Sequence, residues 1–144
     1  MKLISKNNMK KAILILLLNV FSTSMLWAQN GLKKGDAAPM FTATDNSGKK
    51  IDLKSILKDH SSVVLFFYRG QWCPYCNRYI QQLQDSLQLL TAKGAYVVGV
   101  TPETGENINK TINKTKASFS MIQDKDNSIM KSYDVNYVME QTLF

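Results

Sequence analysis

The apolar positions of this chain fall into runs and stripes that alternate along its length. Residues 63–68 read VVLFFY, apolar at every position, which suits a buried central strand covered by helices on both faces. Downstream, Cys76, Ile80, Leu83, Leu87 and Leu90 step by four, three, four and three residues. That spacing predicts one continuous helix with a single inward face, ended at Gly94. Residues 95–100 form a second buried run. Residues 103–117 are polar apart from the inward Ile108 and Ile112, a second helix, and 119–122 give a third short strand. Residues 127–133 predict a last turn or two of helix. Before the first strand, Asp45-Asn46-Ser47-Gly48 lies between Phe41 and Ile51 and predicts a hairpin. Residues 52–58 predict a short helix with Leu53, Ile56 and Leu57 on one face. Strands alternating with helices predict an α/β fold, a central sheet with flanking helices.

The N-terminal 28 residues follow a different pattern and are expected to be a secretory signal peptide. Lys10 and Lys11 precede a ten-residue apolar core at 12–21, and Ser22, Thr23 and Ser24 lead to a small residue at Ala28. The core is shorter than the roughly 17–25 residues of a membrane span, so export to the periplasm or medium is the expectation, with an uncleaved signal as the anchored variant. This segment also explains the charge. The chain has 18 Lys and Arg against 11 Asp and Glu, a formal +7, but Lys2, Lys6, Lys10 and Lys11 precede residue 30 and no acid does. Without those four, 14 basic residues face 11 acidic ones, a net +3, and no nucleic-acid partner is expected. A single domain is expected from 31 to 144.

The candidate chemistry is a Trp72-Cys73-Pro74-Tyr75-Cys76 motif placed where the apolar strand turns into the first helix. These are the only two cysteines. A structural disulfide framework would scatter its cysteines, and a loop this tight removes little entropy from the unfolded chain. At a helix N-terminus, unpaired amides and the helix dipole favour a thiolate, which is the attacking species in thiol exchange. Cys73 is expected at the cap and accessible beside Trp72, with Cys76 one turn in, on the apolar face. No metal site is expected, because His60 is the only histidine and zinc takes four ligands in structural sites. His60 itself reads as an exposed loop residue. No cofactor is expected. The triplets beginning at Asn109 and Asn113 match a glycosylation pattern but read as a solvated helix face.

The segment Gly35-Asp36-Ala37-Ala38-Pro39-Met40-Phe41, with Gly48, Leu53 and Arg69-Gly70-Gln71-Trp72-Cys73-Pro74-Tyr75-Cys76, resembles the alkyl hydroperoxide reductase/thiol-specific antioxidant family, in its peroxiredoxin-like branch. The resemblance covers roughly residues 31–135. It implies a thioredoxin-like fold and a thiol-dependent oxidoreductase with antioxidant, peroxide-reducing activity through a Cys73/Cys76 pair. An external thiol or thioredoxin-like protein would donate electrons, and the substrate would be a peroxide or a disulfide. The alternatives are a protein-disulfide reductase or thiol-transfer protein, and a non-catalytic truncated remnant. Peroxiredoxins would place the attacking sulfur at Cys76, with Cys73 in place of a threonine; thioredoxin-like reductases would attack with Cys73. The resemblance also implies that a C-terminal hairpin and helix, with a cis-proline loop and a peroxide-binding arginine, are missing beyond residue 144. The apolar edge at 63–68 would then lack its neighbour. Arg69 and Arg78 are the arginines near the motif.

Overall fold

The computed structural model describes residues 31–136. The expected signal segment at 1–28 and the last eight residues lie outside that range. Among the described residues no helix is long and apolar enough to cross a membrane.

The expected hairpin pairs β1 (Thr42–Thr44) with β2 (Lys50–Asp52), antiparallel, with Ala43 opposite Ile51. Its turn is tied by one carboxylate. Asp45 Oδ1 accepts from Ser47 N (2.9 Å), Ser47 Oγ (2.7 Å) and Lys49 N (3.0 Å), while Gly48 takes the positive φ of 87° that the turn requires. Burial pushes the Asp45 carboxyl up, but the Ser47, Ser120 and Lys49 hydrogen bonds together outweigh it and hold the group below its ordinary value of 3.8. A lowered folded-state pKa means the stabilisation is complete above that ordinary value and is lost as pH falls through the folded one. Asp45→Asn is therefore expected to flatten the acid limb of a urea-stability profile below about pH 4. An unchanged limb would show that the turn does not use the charge.

Asp52 ends the hairpin and caps α1 (Leu53–Asp59), its Oδ1 accepting from Lys54 N at 3.0 Å. Leu53 is buried beneath this helix, but Leu57 faces solvent, so the inward face is narrower than the periodicity predicts. Three parallel strands follow in the order β3 (Ser62–Phe67), β4 (Ala95–Thr101), β5 (Ser120–Gln123). Phe66 pairs with Gly99, and Val100 with Ile122. Both faces of 63–68 are covered as the apolar run predicts, and its outer edge lacks a neighbour among the described residues, as the resemblance implies. Val64 and Phe66 pack on one side of the sheet, and Val63, Leu65 and Phe67 on the other. Yet β3 is an edge strand among the described residues, and β4 is the central one. An all-apolar run reports covered faces; it carries no information about lateral neighbours.

The long helix expected from 76 to 90 is two helices, α2 (Pro74–Asp85) and α3 (Leu87–Ala92). The break falls at Ser86, with φ −94° and ψ 0°. Asp and Ser compete for backbone hydrogen bonds and are weak helix formers, so the Asp85-Ser86 step is where the chain re-aims. Leu83, Leu87 and Leu90 still reach the same core across it. Gly94, at φ 75°, turns the chain into β4. Then α4 (Gly105–Thr115) is capped by Thr104 and stopped by Lys116 in the left-handed conformation, φ 59°. Thr111 and Thr115 of the two glycosylation-like triplets are buried and hydrogen-bond back to the carbonyls of Asn107 and Thr111. Last, α5 (Ser128–Ser132) is tied to β5 through buried Asp124, which accepts from Ile129 N (3.2 Å) and Met130 N (2.8 Å).

Candidate active site

The cysteine motif sits at the C-terminal end of β3, where the strand gives way to α2. Tyr68 N still donates to Val100 O (3.0 Å), the last rung toward the central strand. Five residues later Cys73 is the N-cap of α2, with φ −83° and ψ 108°, and Pro74 occupies the first turn. Proline fits there because its missing N–H would have no helical partner. Asn77 N donates to Cys73 O (3.1 Å), the first helical bond. Cys73 Sγ takes the place of a capping oxygen and accepts from Cys76 N at 3.2 Å. The two cysteines are joined as a disulfide, with Cα atoms 5.2 Å apart.

Both sequence-predicted site residues are thus brought together at a helix start, but their exposure is the reverse of the expectation. Cys73 is 1% exposed, and Cys76 is only half-buried. The loop before the helix folds over the cap position. Cys73 N is drawn back to Gly70 O (3.1 Å), and the sulfur points inward at the first-turn amides. Arg69 leans over this loop, with Nη2 3.9 Å from Cys73 Sγ and its Cζ 5.2 Å over the Trp72 ring. Trp72 (50% exposed), Tyr75 (80%) and Tyr79 stand in solvent beside the pair. Arg78 is exposed on α2. His60 is half-buried against Tyr96, their rings 5.1 Å apart, instead of lying free in a loop. It precedes β3 and so belongs to the other end of that strand. Among the described residues no three His, Cys, Asp or Glu side chains gather as a metal site.

A polar set that sequence reasoning missed holds the loop. Glu103, just after β4, accepts from Gln71 N at 2.7 Å and from Asn107 Nδ2 at 3.4 Å. Asn77 Nδ2 donates to Gln71 O (2.8 Å), and Lys114 Nζ donates to Gln71 Oε1 (2.8 Å). The available signal was topological: loops after the C-terminal ends of parallel strands converge where such sheets bind ligands. Tyr68 lies beneath, with its hydroxyl buried near the Thr111 and Thr101 side chains. Burial, with the Glu103 carboxylate adding to it, pushes its pKa well above the ordinary phenol value, so the hydroxyl keeps its proton.

Gly70 is where this packing is tightest. A Cβ there would stand 2.5 Å from Glu103 Oε1 and 2.7 Å from Trp72 Nε1. Gly70→Ala is expected to displace Glu103 from Gln71 and to cost about 1–3 kcal/mol of stability, a typical overpacking penalty. Thermal unfolding checks this, and an unchanged midpoint would show that the loop adapts freely.

Comparison with known proteins agrees with this geometry. Peroxiredoxin Bcp of Escherichia coli (strain K12) is 26% identical over 106 residues, which are 74% of this chain and 67% of that protein. The crystal structure of peroxidoxin BcpB from Mycobacterium tuberculosis superposes with a TM-score of 0.67 at 22% identity, over 75% of this chain and 70% of that one. The thioredoxin domain of a thiol-disulfide oxidoreductase from Bacteroides vulgatus gives a TM-score of 0.63 at 23% identity, over 74% and 76% of the two chains. The fold is therefore thioredoxin-like. The AhpC/TSA family matches residues 34–144, through the hairpin, the cysteine loop and all three parallel strands, and the chain belongs to that family.

Proposed function

We propose that the chain is a thiol-dependent oxidoreductase that reduces peroxides through Cys73 and Cys76, outside the cytoplasm. The observation that carries this reading is the disulfide at the N-terminus of α2, with one sulfur capping the helix and the other partly open to solvent. A reduced pair at this place would have one thiol drawn toward the thiolate by the first-turn amides. Attack on a hydroperoxide gives a sulfenic acid and an alcohol or water, and the second thiol then closes the disulfide with loss of water. Two electrons from an external thiol or a thioredoxin-like donor reopen it. Export is supported by the charge and apolar pattern of residues 1–28, and the oxidised pair is compatible with an oxidising compartment.

A second reading, reduction of disulfides in protein substrates, is favoured by one observation. Trp72, Tyr75 and Tyr79 form an exposed aromatic surface beside the pair, which a small hydroperoxide does not need. The two readings part in a paired assay, with dithiothreitol as the common reductant: hydrogen peroxide consumption against insulin precipitation. Peroxide turnover well above the uncatalysed rate with no insulin reduction supports the first. The opposite pattern replaces it with the second, and activity in neither assay defeats the catalytic reading.

A further inference from the structure

The two sulfurs occupy unequal surroundings, and the difference gives the disulfide a direction. Cys73 is shielded from solvent and accepts from two donors, Cys76 N at 3.2 Å and the Arg69 guanidinium at 3.9 Å. Cys76 is half-buried, packed in part against the Ile80 cluster, and is the more exposed of the two residues. In thiol exchange the incoming thiolate attacks the accessible sulfur, and the other departs faster the lower its own thiol pKa. A nearby cation and helix-start amides are what lower a thiol pKa.

We propose that Arg69 sets the polarity of this pair, holding Cys73 as the leaving thiolate so that external thiols bond to Cys76. The inference rests on the redox reading above and goes beyond it by assigning each sulfur and giving Arg69 a part. In the step, an external thiolate bonds to Cys76 Sγ, the Cys76–Cys73 bond breaks, and its electron pair leaves on Cys73. A second external thiolate then attacks the external sulfur of the mixed disulfide and releases Cys76. Two external thiols have become one disulfide, and the protein pair is reduced. Run in reverse, the same geometry bonds an oxidised substrate to Cys76 and lets Cys73 expel the product.

The guanidinium suits this role because its Cζ lies 5.2 Å over the Trp72 ring, a cation–π contact that restrains it beside the sulfur. The other charged groups around the loop act at one remove. Glu103 from the β4–α4 loop binds Gln71 N, and Lys114 from α4 binds the Gln71 side chain; their charges are opposite in sign. Buried Tyr68, on the strand side, keeps its proton. Arg69 is exposed, so water and salt screen it, and the expected effect is about three- to tenfold.

The test uses the oxidised full chain and glutathione as the thiol. Opening is quenched with N-ethylmaleimide, and peptide fragmentation locates the two adducts. The expected product carries glutathione on Cys76 and maleimide on Cys73; the reverse placement overturns the proposal while leaving the redox reading standing. The opening rate is then followed against pH for the native chain, Arg69→Met and Arg69→Lys. Methionine should slow opening about three- to tenfold, lysine should recover part of it, and high salt should narrow the difference. Equal rates in all three proteins would remove Arg69 from the mechanism. If glutathione adds to neither cysteine, the redox reading fails as well.

Discussion

Serine at Cys76 is expected to abolish turnover and serine at Cys73 to slow it sharply, and the two variants should stop at different steps. With Cys76→Ser the accessible sulfur is gone, so no adduct with peroxide or disulfide forms at the open side of the pair. With Cys73→Ser the first bond still forms but nothing closes the ring, so one equivalent of sulfenic acid or mixed disulfide should accumulate on Cys76. A sulfenic-acid probe and intact mass after one equivalent of oxidant separate the cases. The fold should survive both changes, because a bridge between residues three apart closes only a short loop of the unfolded chain. Full turnover in the Cys76→Ser variant would mean that the pair is not the redox centre.

The largest stability effect is expected at Ile80. It lies on the inward face of α2, fully buried, in the cluster with Phe66, Phe119 and Met121. Ile80→Ala removes buried methyl groups and leaves a cavity that the surrounding rings fill only in part, at a cost of about 2–5 kcal/mol. Against a typical domain stability of about 5–15 kcal/mol, that should move the urea midpoint far to lower concentration. Ile80 faces away from the solvent side where Trp72 and Tyr75 stand, so the folded variant should still form the Cys73–Cys76 bond. A loss below about 1 kcal/mol would show that α2 is not held by this contact.

The parts of this molecule legible in the sequence are those decided by neighbours along the chain. The 63–68 run announced a strand, Pro74 announced a helix start, and together they placed Cys73 at its cap, where the structure has it. Gly48 and the Asp45 turn announced the hairpin in the same way. What stayed hidden was decided across space. The exposure of the two sulfurs follows from how the Arg69–Trp72 loop folds over the cap, which spacing along α2 does not record. Glu103 reaches Gln71 from 32 residues away, through the pairing of β3 with β4. The break at Ser86 was masked because the leucine stripe continues across it. The apolar run alone marked β3 as central because both of its faces are covered, and its bare edge was legible only through the family resemblance.

A redox role requires the pair to cycle between disulfide and dithiol within reach of physiological thiols. An equilibrium titration of the full chain against defined ratios of reduced and oxidised dithiothreitol or glutathione, read by thiol alkylation and intact mass, tests it directly. Cys73 and Cys76 should appear and disappear together as one two-electron couple, with a potential above about −300 mV, where catalytic and labile disulfides lie. A bond that persists below about −300 mV would be a structural one, and thiols that titrate independently of each other would equally contradict a shared redox centre.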